Sequence, residues 1–249
     1  MHKKILALFL AAAMGLSLVA CGGSTTGESS DTASDSATTD AAADTADDTA
    51  SGETIKIGFL TPMSGANATY GLQGKAAVEM MAAVINEDHP DMAVALAKEA
   101  GLPNLNGAKI ELVFADSKQD PTTAASEAKR LITEQGVVAL TGQYTSAVTK
   151  AVAVVTETYG IPLLTAGSSP TLTAPETGLE WYFRFGPNDN TYIEDSFKYL
   201  KELNDTKNAD IKTVALVSED TEFGANIRIA EQTYAEQYGF EVVEDISYS

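Results

Sequence analysis

Residues 55–60 (IKIGFL) decide the fold, because this short apolar run is followed by a loop and then by a helical pattern over residues 71–88. Apolar residues recur in the helical stretch at the spacing of one helix face. They are Ala76, Ala77, Met80, Met81, Val84 and Ile85. A strand followed by a loop and an amphipathic helix is the first half of a βαβ unit.

The alternation of a short apolar strand with an amphipathic helix continues along the chain. Further strands are predicted at residues 109–116, 137–141 and 162–165, and helices at 121–135 and 146–159. This alternation predicts an α/β fold with a parallel sheet and helices on both faces. The continuous apolar run at 137–140 (VVAL) is typical of a strand that is buried on both sides.

A second round of βα units follows residue 181. An aromatic strand ends at Gly186-Pro187, and the later elements are predicted at 191–203 (helix), 213–217 (strand), 223–238 (helix) and 241–247 (strand). So few elements cannot cover both faces of a second parallel sheet. We therefore predict lobe one at residues 54–186 and the beginning of an incomplete, truncated lobe two at 187–249.

The N-terminus has the pattern of a secretory signal. Lys3 and Lys4 precede an apolar segment of about a dozen residues, and the run LVAC ends at Cys21, the only cysteine of the chain. Residues 1–20 are therefore predicted to be a signal peptide. Cys21 could be an incidental cysteine in an ordinary secretion signal, or it could have a role of its own, which is considered below.

The segment after Cys21 is acidic and of low complexity. Residues 22–53 carry eight acidic residues and no lysine or arginine, among Ser, Thr, Ala and Gly. Such a segment has no apolar face to bury, so residues 21–53 are predicted to be a disordered linker. The net charge of −19 argues against a nucleic-acid partner and against electrostatic binding to anionic lipid.

Several segments, taken in order, resemble the branched-chain amino acid (Leu/Ile/Val-type) binding proteins of ABC importers. They are residues 55–65 (IKIGFLTPMSG), 70–71 (YG), 141–146 (TGQYTS), 160–173 (GIPLLTAGSSPTLT), 183–184 (FR), 217–220 (VSED) and 223–224 (FG). The resemblance implies the type I periplasmic-binding-protein fold, in which two doubly wound parallel-sheet lobes joined by a hinge close on a ligand. Gly186-Pro187 then marks the first crossing between lobes.

One part of the ligand site is expected where the third strand ends. Tyr144, Thr145 and Ser146 lead there into a helix, whose first N–H groups and positive dipole end favour a carboxylate. The resemblance places Ser146 on the family's carboxylate-binding serine. The alternative is that Thr145 or Ser146 is only a helix cap.

The loop after the fourth strand is a second part. The resemblance implies that Gly167, Ser168 and Ser169 offer a backbone carbonyl to the ligand ammonium and a hydroxyl to its carboxylate. A simple polar turn is the alternative reading of Ser-Ser-Pro. The family's acidic partner for the ammonium falls after residue 249.

Two aromatic residues are expected to enclose the ligand. Tyr70 follows the loop after the first strand, where an aromatic ring can form one wall. The resemblance places Phe223, where the family commonly has tyrosine, on the other. Either ring could instead belong to the core.

Together these implications predict a lipoprotein on the extracytoplasmic face of the cell membrane. Its LVAC run resembles a lipobox, which implies diacylation of Cys21 and attachment to the membrane through this lipid alone. The protein would capture a branched-chain-type amino acid by hinge closure and deliver it to an ABC permease, without cofactor or metal.

Two alternatives stay open, namely a ligand-sensing domain of the same fold and a binding protein for amides or short peptides. The sequence disfavours an enzyme. His89 is the only histidine after the signal, and no nucleophile-elbow motif is present.

Overall fold

The structure, a computed structural model, describes residues 53–249. The predicted signal peptide, Cys21 and the linker up to residue 52 lie outside the described residues. The strands are β1 (Ile55–Thr61), β2 (Ile110–Asp116), β3 (Ala139–Thr141), β4 (Leu163–Thr165), β5 (Tyr182–Arg184), β6 (Thr213–Glu219) and β7 (Glu241–Tyr248). The helices are α1 (Ala68–Asn86), α2 (Pro121–Thr133), α3 (Ser146–Tyr159), α4 (Asp189–Lys207) and α5 (Glu222–Tyr238).

The strands form two parallel sheets. The first has the order β2-β1-β3-β4-β5, and every neighbouring pair in it is parallel. The second pairs β6 with β7, also in parallel. Each strand is joined to the next by a helix or a longer crossover, as parallel pairing requires. The predicted α/β fold with parallel sheets is confirmed.

The main core lies between the first sheet and the helices α2 and α3. Leu140 and Leu163 are register partners on neighbouring strands, and both are fully buried. Helix α3 contributes Val148 and Val152, which are four residues apart and therefore lie on the same helix face. Burial of each such side chain stabilises the fold by about 1.5–3 kcal/mol.

The opposite face of the first sheet is only partly covered by the described residues. Helix α1 passes over Phe59, whose ring lies against Gly74, whereas Leu164 and Phe183 in the neighbouring strands are exposed. The expectation that the run at 137–140 is buried on both sides is therefore wrong for Val138, which is 51% exposed.

The predicted apolar face of α1 is also only partly buried. Ile85 is buried, but Met80 and Met81 are exposed. No helix within the described residues combines the length and hydropathy that a membrane span requires.

The second sheet has its own apolar cluster. Phe197 of α4 packs against Phe240, with ring centroids 5.7 Å apart, and Ala235 of α5 completes the buried group. Gly186 and Pro187 connect β5 to α4 and so join the first sheet to the elements of the second. The domain boundary at residues 186 and 187 stays a prediction.

Candidate functional site

A cavity of about 680 Å³ lies where the carboxyl ends of strands and the first turns of helices from both sheets meet. This is the position at which open parallel sheets bind ligands. The side of the first sheet contributes Asn67, Gln119, Tyr144, Thr145, Ser146 and Ser168, among others. The side of the second sheet contributes Val217, Glu219, Thr221, Glu222, Phe223 and Ile227, among others.

The first turn of α3 faces this cavity without a side-chain cap. Thr145 occupies the N-cap position, but its side chain accepts no hydrogen bond from the N–H groups of the helix. By contrast, Asp120 caps α2 and Thr221 caps α5 through their side chains. The reading of Thr145 as only a helix cap is therefore not supported.

Ser146 begins α3 and is almost completely buried, yet it lines the cavity. Its position places one hydroxyl beside the free first-turn N–H groups of the helix. Hydroxyls and helix N–H groups are donors that bind a carboxylate, and the helix dipole adds to their attraction.

The loop after β4 is held from behind by Arg184. Its guanidinium donates to the carbonyl oxygens of Gly167 at 3.4 Å and Ser169 at 3.1 Å, and to Thr173 Oγ1 at 2.7 Å. The hydroxyl of Tyr182 also donates to the Gly167 carbonyl, at 3.0 Å. These bonds leave Ser168 as the member of the predicted trio that lines the cavity.

Gly167 and Ser169 therefore lie behind the cavity wall in this arrangement. The carbonyl of Gly167, predicted to accept from a ligand ammonium, accepts from Tyr182 and Arg184 instead. Ser169 is fully buried, and its Oγ pairs with Thr171 Oγ1 at 2.8 Å and accepts from Asn226 Nδ2 at 2.9 Å. Their roles toward a ligand stay predictions.

Tyr144 is the aromatic residue of the first-sheet wall. Tyr70 stacks on it with ring centroids 4.9 Å apart and an interplanar angle of 15°, and so supports Tyr144 without itself lining the cavity. Burial raises the pKa of the Tyr144 phenol, and the neighbouring Tyr70 and the Glu219 carboxylate raise this pKa further. A direct contact between Tyr70 and a ligand stays a prediction.

Phe223 lines the cavity from the side of the second sheet, and a close contact between helix α5 and the end of strand β6 positions it. It stands in the first turn of α5, beside Gly224, where a Cβ would come within 1.9 Å of the Glu219 carbonyl oxygen. Tyr70 is followed in the same way by Gly71, where a Cβ would come within 1.8 Å of the Pro62 carbonyl oxygen. In both helices glycine permits the close approach that positions the preceding aromatic ring.

Residues that the sequence alone did not indicate complete the cavity. Asn67 and Gln119 line it and are joined by a side-chain hydrogen bond. Glu219 and Glu222 are the charged residues of the lining. In the part of the chain that the structure describes, no group of histidine, cysteine or acidic residues is arranged to hold a metal ion.

A buried carboxyl group lies directly behind Ser168. Asp189, the first residue of α4, is fully buried, and its backbone N–H donates to the Ser168 carbonyl oxygen at 2.9 Å. Burial raises the pKa of Asp189, although the Ser168 hydroxyl and the Arg184 charge act in the opposite direction. The start of α4 is thereby coupled to the cavity loop.

Two α/β bodies that contribute residues to one shared cavity have the arrangement of a type I periplasmic binding protein. Residues 54–249 match the family model described as Periplasmic binding protein, and the chain belongs to this family. The solute-binding protein of an ABC transporter from Rhodopseudomonas palustris BisB5, solved with 3,4-dihydroxybenzoic acid, has the same fold, with a TM-score of 0.62 and 20% identity over 78% of this chain and 47% of that chain.

Two further relatives are named for branched-chain amino acids. Leu/Ile/Val-binding protein homolog 7 of Brucella abortus is 29% identical over 203 residues, which cover 78% of this chain and 45% of the relative. The branched-chain amino acid transporter substrate binding protein of Streptococcus pneumoniae, solved with isoleucine, is 26% identical with a TM-score of 0.59, over 79% of this chain and 50% of that one. The chain thus spans about half the length of these proteins.

Proposed function

We propose that this protein is an extracytoplasmic solute-binding protein that binds an amino acid in the cavity described above and delivers it to an ABC permease. The observation that carries this proposal is the uncapped first turn of α3, which faces the cavity beside the Ser146 hydroxyl. The relatives named for branched-chain amino acids support the choice of ligand class.

The carboxylate of the ligand would bind at α3. The first-turn N–H groups and the Ser146 hydroxyl supply donors, and none of them carries a positive charge. Hydrogen bonds from such donors to an ionised carboxylate contribute about 1.5–3 kcal/mol each. An acidic protein can therefore hold a carboxylate through local dipoles.

The side chain of the ligand would contact the apolar part of the lining. Tyr144 stands on the first-sheet side, and Val217, Phe223 and Ile227 stand on the second. Aromatic and aliphatic walls with few polar groups favour a hydrophobic side chain such as that of leucine or isoleucine.

Ligand binding would favour closure of the cavity. The proposed carboxylate donors lie on the side of the first sheet, and Phe223 and Ile227 lie on the side of the second. A ligand that contacts both sides only when they are close together shifts the population toward the closed state. Binding without chemical conversion is then sufficient for the function.

The proposed location and permease partner rest on the N-terminal sequence and on family membership. The signal pattern and Cys21 support lipid attachment on the extracytoplasmic face, and the acidic linker would act as a spacer from the bilayer. Extraction of the protein into the detergent phase, and its loss from that phase after Cys21→Ser, would test this part.

A thermal-shift screen of the intact protein tests the ligand class. Leucine, isoleucine and valine are compared with acidic and basic amino acids, amides, short peptides and 3,4-dihydroxybenzoate. A ligand present at 100 times its Kd stabilises the folded form by about 2.7 kcal/mol. We expect the branched-chain amino acids to raise Tm most. A rise in Tm with another class, and none with amino acids, would overturn the proposal.

A further inference from the structure

Two amide side chains pair in the lining of the cavity, apart from the proposed carboxylate site. Asn67 and Gln119 both line the cavity, and the Asn67 side chain donates a hydrogen bond to the side-chain carbonyl oxygen of Gln119. Asn67 occupies the N-cap position of α1, where asparagine commonly caps a helix, but its side chain makes no such bond. The Asn67 amide is therefore directed to Gln119 and not to its own helix.

The loop that carries Gln119 is held in an unfavourable backbone conformation. Lys118 and Gln119 are consecutive non-glycine residues in the left-handed region, with φ of 50° and 57°. The Lys118 N–H donates to Asp116 Oδ1 at 2.8 Å, and the Gln119 N–H donates to Ser117 Oγ at 3.3 Å. Backbone strain of this kind persists only where surrounding contacts fix it, and it is common where a ligand is held.

Asp116 also joins this loop to the neighbouring loop between β1 and α1. Its carboxylate accepts from the Met63 N–H at 2.8 Å and from Ser64 Oγ at 2.6 Å. One carboxylate thus ties the loop that leads to Asn67 to the loop that carries Gln119. The meeting of the two amides is therefore fixed by the backbone on both sides.

The amide pair offers both a donor and an acceptor to the cavity. The bond between the two amides uses an N–H of Asn67 and the carbonyl of Gln119, which leaves the NH₂ group of Gln119 and the carbonyl oxygen of Asn67. Exchange of oxygen and nitrogen in both amides leaves the same combination. A ligand carboxamide presents the matching acceptor and donor, whereas a carboxylate only accepts and an ammonium group only donates.

The amide pair lies within reach of the side chain of an amino acid bound at α3. The sheet order β2-β1-β3 places the end of β1, which leads to Asn67, next to the end of β3, which leads to α3. Neighbouring strands are about 5 Å apart. The carboxylate and carboxamide carbons of glutamine are also about 5 Å apart when its chain is extended.

We propose that Asn67 and Gln119 bind a side-chain carboxamide, so that L-glutamine is a ligand of the cavity beside the branched-chain amino acids. This inference rests on the proposed function, because it places the α-carboxylate of glutamine at α3. Leucine is not excluded, since both residues are only half-buried and water can bond to the pair when the ligand side chain is apolar. Glutamate is disfavoured, because the lining within the described residues contains no lysine, arginine or histidine to neutralise a second carboxylate.

Calorimetry on the intact protein with L-glutamine, L-glutamate and L-leucine tests this assignment. We expect the wild type to bind glutamine more tightly than glutamate by about tenfold or more. Gln119→Met keeps an unbranched chain but removes the donor and the acceptor, so it should lose about tenfold or more in glutamine affinity while leucine affinity changes by less than about twofold. Gln119→Glu, which has the same shape without the donor, should lose glutamine affinity as well.

Gln73→Met is the matched control, because Gln73 is exposed on α1 and does not line the cavity. A wild-type protein that binds leucine but not glutamine would overturn the role of the amide pair and leave the proposed function intact. The same conclusion would follow if Gln119→Met kept the wild-type ratio of glutamine affinity to leucine affinity. A wild-type protein that binds none of the three ligands would overturn the proposed ligand class, and this inference with it.

Discussion

Asn226 Nδ2 donates a hydrogen bond to Ser169 Oγ over 2.9 Å and thereby joins helix α5 to the loop after β4. Lys150 on α3 and Glu222 on α5 form a second link, with their charged atoms 3.2 Å apart. Both contacts connect elements of the first sheet with elements of the second. Both contacts need the two sides to be close, so under the proposed closure they would stabilise the closed arrangement.

Replacement of Asn226 by alanine should shift the protein toward an open arrangement. A hydrogen bond of this kind contributes about 1 kcal/mol, which corresponds to about a fivefold change in an equilibrium. We expect Asn226→Ala to weaken leucine binding by about that factor and to increase the radius of gyration of the ligand-free protein, measured by small-angle X-ray scattering.

Lys201→Ala serves as the control for that variant, because its ion pair with Asp205 is exposed and lies within α4 alone. Exposed pairs of this type contribute little to stability. Identical scattering and identical affinity for Asn226→Ala and the wild type would show that the contact does not hold the cavity closed.

Gly224→Ala should destabilise the fold through a steric clash at the start of α5. The added Cβ would lie 1.9 Å from the Glu219 carbonyl oxygen, a backbone atom that cannot move aside cheaply. Overpacking of this kind costs about 1–3 kcal/mol, and each kcal/mol lowers Tm by about 2–4 °C in a domain of this size.

Gly186→Ala is the matched comparison for Gly224→Ala, since nothing lies within 4 Å of its Cβ position. Thermal melts followed by circular dichroism should show a clear decrease in Tm for Gly224→Ala and only a small change in Tm for Gly186→Ala. Equal melting temperatures would mean that α5 does not pack on the Glu219 carbonyl as described.

Asp189→Asn should change the pH dependence of stability. Burial raises the pKa of Asp189 in the folded state above its ordinary value of 3.8, so the folded protein holds this proton to higher pH than the unfolded chain does. The contribution of Asp189 to stability is therefore greatest at low pH and falls as the pH rises through the folded-state pKa.

Asparagine at position 189 does not titrate, so it removes the contribution of this residue to the pH dependence of stability. We expect Asp189→Asn to melt higher than the wild type at pH 7, by about 2–4 °C if the buried charge costs about 1 kcal/mol, and the gap to narrow or reverse below pH 4. Melts between pH 3 and 8 provide the measurement. A gap that stays constant over this range would mean that Asp189 does not titrate differently in the two states.

The sequence predicts the bounds of a helix well where the residues that start and end it lie next to one another in the chain. Helix α3 begins at Ser146 and ends at Tyr159, as the apolar spacing predicts, and Gly160 follows in the left-handed conformation that ends helices. The sequence predicts a start of α1 at residue 71, three residues later than the observed Ala68. Gly71 interrupts the apolar pattern there, but it lies inside the first turn because it packs on the Pro62 carbonyl.

The segment between α1 and β2 folds through contacts that its own sequence pattern does not show. The pattern from Met92 to Ala100 favours a short helix, but the structure has only a 3₁₀ turn over Ala95–Ala97. The backbone N–H of Gly101 donates to the Ile85 carbonyl, and that of His89 donates to the Ala97 carbonyl, so this segment folds back on itself. Such bonds between distant turns are not encoded in a local periodicity.

At the candidate site, some of the residues predicted from the sequence line the cavity and others do not. Five of the predicted residues line the cavity, namely Tyr144, Thr145, Ser146, Ser168 and Phe223. The direction in which Gly167 and Ser169 point depends on bonds to Arg184 and Asn226, which for Ser169 are 15 and 57 residues away in the sequence. The sequence of the loop alone does not show which of its polar groups form hydrogen bonds with distant residues and therefore point away from the cavity.

The binding of a carboxylate at the first turn of α3 is the central claim, and calorimetry with Ser146→Ala tests it most directly. Ser196→Ala, an exposed serine on α4, is the control. We predict that Ser146→Ala weakens binding of L-leucine to the intact protein by about tenfold or more, with Tm unchanged within about 2 °C, and that leucinamide, which lacks the carboxylate, binds both forms equally weakly. Equal leucine affinity for Ser146→Ala and the wild type, together with tight binding of leucinamide, would contradict the account.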